Sequence, residues 1–267
     1  MSSLNPAQLA AQTQFDRQSA NYGLGHILAD TRDVADLYEL CLKQSRISSR
    51  PWRVLDIAAG AGHTGLYLAK QGHRVTLSDL APGMLEQCRL AAAEHGLTVT
   101  LAQHSAEDLP YQDGSFELVT CRVAAHHFSS PPKFLSEVAR VLAPGGMLLL
   151  IDGSVPDDQP VAEAWIHAVE IRRDPSHQRF LSPRTWETLC GDAGLQAWHH
   201  ELQPLLQPDL EWYFQTANTS AENRVAVRCL VENAPREART MFELLENAGN
   251  IVWNWPRLQL LAVKYVT

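Results

Sequence analysis

The chain has 267 residues, with 45% hydrophobic and 19% charged side chains, enough for one large α/β domain with insertions. Its formal net charge of −8 argues against a nucleic-acid partner, because there is no excess of Lys and Arg to neutralise phosphates; Arg172-Arg173 is the one basic pair. Five scattered cysteines without a Cys-x-x-Cys pair speak against a disulfide framework or zinc site, and no apolar run approaches the ~20 residues that span a bilayer, so a cytoplasmic location is expected.

Residues 1–20 are polar and read as an exposed arm or short helix, anchored by Phe15, Tyr22 and Ile27, with a glycine-flanked loop at Asn21–Gly25. From Asp30, apolar residues Val34, Leu37, Tyr38 and Cys41 recur on one helical face. A strand-helix rhythm then predicts a parallel sheet. Strands are expected at Arg53–Ile57, Arg74–Ser78, Thr98–Ala102, Phe116–Cys121 and Met147–Ile151, with helices at about 63–71, 82–95 and 132–142 between them. Beyond Asp152 the pattern predicts helices at 160–174 and 182–193, a strand at Leu195–Leu202, a helical segment over 208–247 and a last strand at Arg257–Val266.

The most informative stretch is Val54-Leu55-Asp56-Ile57-Ala58-Ala59-Gly60-Ala61-Gly62-His63-Thr64-Gly65, a strand, a tight turn and a helix start. Its Gly60, Gly62, Gly65 spacing also satisfies the dinucleotide fingerprint. Asp56 distinguishes the two ligands: a carboxylate at the strand end repels a pyrophosphate and suits an ammonium, or else caps the loop through backbone amides. Asp79 ends the second strand, where an acid accepts both hydroxyls of a ribose or caps the helix at Pro82.

Further on stand Ser105-Ala106-Glu107-Asp108-Leu109-Pro110-Tyr111, Asp113-Gly114-Ser115-Phe116, Arg122-Val123-Ala124-Ala125-His126-His127-Phe128 and Glu137-Val138-Ala139-Arg140-Val141-Leu142-Ala143-Pro144-Gly145-Gly146. Together with the glycine loop, this order resembles the class I S-adenosylmethionine-dependent methyltransferases over about residues 52–152. Within them it is most similar to the type 11 branch that contains ubiquinone and menaquinone biosynthesis enzymes. The resemblance implies a Rossmann-like α/β fold: a seven-stranded, mostly parallel sheet with an antiparallel last strand. It is expected as a single domain over 1–267, with an N-terminal arm and helices to 50, a cofactor core at 51–154 and helical cap insertions at 155–190 and 205–250.

The resemblance implies S-adenosyl-L-methionine as cofactor. Asp56, Ala58 and Gly60 would hold its methionine tail, with Gly62 allowing close backbone approach. Asp79 would bind the ribose, and Leu80 and Met84 would flank adenine. Ser105, Ala106 and Glu107 would lie at the adenine edge and Arg122 beside the sulfonium. On the N-terminal arm, Tyr22 and His26 are candidates to close over the site, with ordinary surface packing as the favoured alternative. Two positions depart from the family: Ala58 stands where Gly is usual, and Ser105 where an acid is common.

The expected partner is a small-molecule methyl acceptor, with its O, N or C nucleophile left open and a homodimer among the assemblies open to the chain. An acceptor that carries a proton benefits from a base, and His126 and His127 are the candidates, each with a packing role as the alternative. His177 in the Asp174-Pro175-Ser176-His177 turn is a weaker one. The paired histidines lack the i, i+4 spacing of a metal site, and Cys121 reads as a strand residue. Two rivals stand beside this reading. A nicotinamide-dependent oxidoreductase lacks its Tyr-x-x-x-Lys pair here, and a non-catalytic cofactor-binding module draws on Ala58 and Ser105.

Overall fold

The computed structural model describes residues 4–22, 27–45, 47, 50–247 and 250–265. Two helices, α1 (Pro6–Gln18) and α2 (Arg32–Gln44), precede the expected alternation of β1 (Arg53–Ile57), α3 (His63–Lys70), β2 (Arg74–Asp79), α4 (Pro82–Glu94), β3 (Thr100–Gln103), β4 (Phe116–Arg122), α5 (Pro131–Val141) and β5 (Leu142–Gly153). The chain continues through α6 (Pro160–Arg173), α7 (Pro183–Asp192), β6 (Leu195–Gln207), α8 (Leu210–Ala217), α9 (Ala221–Glu232), α10 (Arg236–Met241), β7 (Leu245–Asn247) and β8 (Asn250–Lys264).

The strand order is β3-β2-β1-β4-β5-β8-β6, with the short β7 paired to β8 off this path. The first five strands are mutually parallel, and β8 runs antiparallel to both β5 and β6. The seven expected strands and the antiparallel last strand are therefore present, and β7 is added. The order reverses between β1 and β4, and open α/β sheets bind ligands at the carboxyl ends of the strands beside such a point.

Apolar strands buried on both faces divide the core in two. Leu55, Ile57, Val119, Leu148 and Leu150 pack towards α5 and α7, while Val54, Leu118, Leu149 and Leu261 pack towards α2 and α3. Each such side chain contributes about 1.5–3 kcal/mol on burial, so this core holds the strand ends in place. A third cluster, built on Trp165, Phe180, Tyr213, Phe214, Phe242, Trp253 and Trp255, forms the cap.

Of the two readings of the N-terminus, an exposed arm or a short helix, the helix is the one present: α1 is closed by a capping box between Asn5 and Gln8, and its Gln14 and Gln18 are buried. Two expectations are corrected. The helix α7, expected in the cap, packs on the sheet through Trp186 and Cys190. Strands β6 and β8 extend beyond 195–202 and 257–266, pairing as far as Gln207 with Trp253. Trp253 and Trp255 on that extension are buried in the cap cluster, and this burial holds the ribbon together past two prolines.

Candidate active site

The carboxyl ends of β1, β2 and β4 open into a cavity. Its floor is Ala58–Ala61 and Asp79–Ala81, one side is Ser105–Glu107 with Met84 and Phe128, and Arg122–Ala124 closes the inner end. Helix α1 covers it with Gln8, Gln12 and Phe15, joined by Tyr22 and His127. Of the expected site residues, Tyr22, Ala58, Gly60, Asp79, Leu80, Met84, Ser105, Ala106, Glu107, Arg122 and His127 all line this one cavity.

Asp56 and Gly62 do not line it. Asp56 Oδ2 accepts the Gly65 amide at 2.9 Å and Oδ1 the Thr120 hydroxyl at 2.7 Å, so this carboxyl faces the sheet interior as a loop cap. Burial pushes it up to about 6, against the opposing pull of those hydrogen bonds. Gly62 adopts φ +84 as the residue before α3, and a Cβ there would meet Cys88 and Leu77. Gly65 is needed for close packing, since a Cβ would come within 2.1 Å of Leu77. Only Gly60 of the three glycines reaches the cavity.

Asp79 stands at the cavity wall, where its Oδ2 accepts the Gly60 amide at 3.0 Å and its Oδ1 the Ala81 amide at 2.9 Å. It thus ties the glycine loop to the start of α4, and burial holds its carboxyl up at about 6 against those amides. Glu107 accepts from Gln8 Nε2 at 2.8 Å, from the Ser129 hydroxyl and from the Ser130 amide at 2.7 Å. Ser105 also accepts from Gln8, at 3.0 Å. The expected adenine edge is therefore also the anchorage of α1.

Arg122 is a correction of role. Its guanidinium makes a two-pronged ion pair with Asp33, at 3.0 Å from Nε and 2.9 Å from Nη2, and donates to the carbonyls of Leu28 at 2.7 Å and Asp30 at 2.6 Å. It clamps the segment before α2 to the end of β4, with Arg257 adding a 2.7 Å bond to Asp33. Burial lowers the pKa of His63 and of His127. Among the described lining residues, no cation is left to neutralise a pyrophosphate, and two carboxylates face the space. That balance suits a cationic ligand such as a sulfonium and disfavours a dinucleotide.

A second cavity adjoins the first across a shared wall of Phe15, Tyr22, Leu28, Val123 and His127. Beyond that wall it is lined by His126, Arg173, Asp174, Gln207, Trp212, Thr216 and Trp255. Val123 adopts φ +54, a strained conformation for a β-branched residue, at the boundary between the cavities. Arg173 lies 4.2 Å over the Tyr213 ring and bonds Glu170 at 3.0 Å.

The two candidate bases differ. His126 lies away from the first cavity and donates Nδ1–H to Asp152 at 2.6 Å. Burial opposes its charge, but the Asp152 carboxylate overrides that and raises its pKa. His127 borders both cavities, and burial with the neighbouring His126 charge lowers it to about 3, so it stays neutral. His177 lines neither cavity; it is buried against His126, His167 and Phe180. Cys121 is a core residue whose thiol burial pushes well up. His26 lies outside the described residues. Among them, no group of His, Cys, Asp and Glu is placed to hold a metal.

Sequence reading missed Gln8, Gln12, Val123, Arg173 and Gln207: the glutamines of a polar helix and a strained valine carry no local signal.

Comparison with known proteins bears on this geometry. The family model described as Methyltransferase domain matches residues 55–150. The uncharacterized methyltransferase YcgJ of Bacillus subtilis is 32% identical over 237 residues, covering 86% of this chain and 89% of its own. The crystal structure of YcgJ superposes with a TM-score of 0.77 at 30% identity, covering 89% of this chain and all of that one. A demethylmenaquinone methyltransferase of Thermus thermophilus is 38% identical over 112 residues, 41% of this chain and 51% of its own. Geranyl diphosphate C-methyltransferase of Streptomyces coelicolor, solved with S-adenosyl-L-homocysteine, shares the fold at 14% identity and a TM-score of 0.66, covering 99% of this chain and 100% of that one. No helix of the described residues is long and apolar enough to cross a membrane. The chain belongs to the class I S-adenosylmethionine-dependent methyltransferases, in the type 11 branch.

Proposed function

We propose that this chain binds S-adenosylmethionine in the first cavity and transfers its methyl group to a small organic acceptor in the second. One observation carries the reading: a cavity at the strand ends lined by Asp79 and Glu107, with no available cation among the described residues, shares a wall with a second, aromatic-lined cavity. The cofactor, when bound, supplies a methyl carbon on a sulfonium whose C–S electron pair leaves with sulfur.

The residues present fit that ligand. Asp79 would accept the ribose hydroxyls, and Leu80 and Met84 would flank adenine beside Ser105 and Ala106. The backbone of Ala58 and Gly60 would hold the methionine tail. Phe15 and Tyr22, on both cavity walls, would exclude water from the transfer path. Trp212 and Trp255 would hold a planar or apolar acceptor, with Gln207 and Thr216 orienting its polar groups.

Calorimetric titration of the full chain with S-adenosylmethionine, S-adenosylhomocysteine and NADPH tests the reading. Saturable binding of the first two is expected. Binding of NADPH alone would replace this function with a nicotinamide one.

A further inference from the structure

The turn that follows α6 reaches the shared wall. Asp174 Oδ1 accepts both the Ser176 amide at 2.9 Å and the Ser176 hydroxyl at 2.6 Å, and the same hydroxyl oxygen lies 3.0 Å from His127 Nδ1. All three residues are buried, and Ser176 is fully enclosed. A serine hydroxyl has one hydrogen. Because that hydrogen goes to Asp174, the Ser176 oxygen is the acceptor in its bond with His127, and the ring must carry a proton on Nδ1.

Asp174 is suited to this end of the chain. Burial pushes its carboxyl up, and the opposing pull, led by the charge of a protonated His127 and followed by the hydrogen bonds from Ser176 and the Arg173 charge, brings it below its ordinary value. His126 cannot take the same part, since its Nδ1–H is committed to Asp152. His63, the other histidine beside the glycine loop, donates Nε2–H to the Tyr22 carbonyl at 3.1 Å.

We propose that Asp174 and Ser176 are positioning residues that hold His127 as the neutral tautomer protonated on Nδ1, making Nε2 the proton acceptor for the methyl acceptor. The role, though not the tautomer, rests on the methyltransferase reading above. The acceptor class is then one whose nucleophilic atom carries a hydrogen, an O–H or N–H on a small organic molecule. As its lone pair forms the bond to the methyl carbon, its proton passes to Nε2. The resulting imidazolium keeps its Nδ1–H bond to Ser176, with the Asp174 carboxylate behind it. This is the logic by which a buried acid orients a catalytic histidine in hydrolases, here relayed through one hydroxyl.

Long-range 1H–15N correlation spectra of the full chain with 15N-labelled histidine test this, with His127→Gln identifying the His127 signals. The expected result near neutral pH is a protonated Nδ1 and a bare Nε2. A Nε2–H tautomer, or an imidazolium, overturns the proposal. Ser176→Ala is expected to shift both His127 nitrogens towards the averaged position of exchanging tautomers. Ser176→Cys, which keeps the side chain's shape and weakens both bonds, does the same if the alanine chain does not fold. Unchanged shifts in the folded variant assign the tautomer to another cause and overturn the proposal. Titration of the wild-type chain with S-adenosylhomocysteine is independent of these spectra, so failure of the cofactor reading is told apart from failure of the relay.

Discussion

Asp56 and Asp79 end neighbouring strands, and burial raises both carboxyls to about 6. Their surroundings separate them: Asp56 is capped by Gly65 and Thr120 inside the sheet, while Asp79 lines the first cavity. An ionised Asp79 accepts two hydroxyl donors at once, whereas its protonated form has lost part of that capacity. Since its folded, ligand-free pKa is raised to about 6, the carboxylate is available above that pH and is lost as pH falls through it. Calorimetry should therefore show affinity for S-adenosylhomocysteine constant above pH 6 and falling roughly tenfold per unit below it. Asp79→Asn should weaken binding about 10- to 100-fold at pH 7.5, the loss of hydrogen bonds to a charged group, and flatten that dependence. A flat wild-type profile would place the ribose elsewhere. Ala58, the departure from the family's usual glycine, sits at φ +52. A methyl-bearing residue there costs about 1–2 kcal/mol, which is the physical reason glycine is favoured at this position.

At the scale of elements, α1 is where pattern reading left an arm and a short helix both open. Its sequence has no apolar stripe, so periodicity does not say what would hold it in place. In the fold, polar side chains attach it: Gln8 to Ser105 and Glu107, Gln12 to the Leu80 carbonyl, Gln14 to the Ala217 carbonyl, and Asp16 to the Gly83 amide. Such contacts are weak individually, at about 0.5–1.5 kcal/mol net each, so α1 should open more readily than the sheet. Because Gln8, Gln12 and Phe15 line the first cavity, a ligand bound there should hold α1 closed. Tryptic cleavage after the exposed Arg17 is expected to slow on adding S-adenosylhomocysteine, by up to roughly 100-fold at 100 times the dissociation constant. Cleavage at an unchanged rate would remove α1 from the binding wall. The strands and helices from β1 to β5 were legible to within a few residues, because strands buried on both faces read as apolar runs and Gly or Pro marks their ends.

The whole molecule joins two packed clusters on the sheet to a third in the cap, and the second cavity lies where the cap meets the sheet. A cap with its own aromatic core can open independently of the sheet. Hydrogen exchange with S-adenosylhomocysteine should show slower exchange at the glycine loop, at 79–84 and in α1, with α9 unaffected. Equal slowing in α9 would mean that cap and sheet open as one unit.

The sequence by itself determined the alternating α/β sheet, the family, and the strand-end positions at which Asp79, Ser105–Glu107 and His127 stand. These follow from local rules: apolar runs, glycine turns and motif order within about 100 residues of chain. Only the tertiary structure decided where the side chains point and what they touch. It turned Asp56 and Gly62 away from the first cavity, committed Arg122 to Asp33 and His126 to Asp152, and brought Ser176, 49 residues away in the chain, onto His127. Those outcomes depend on packing between segments distant in sequence, for which no local pattern exists.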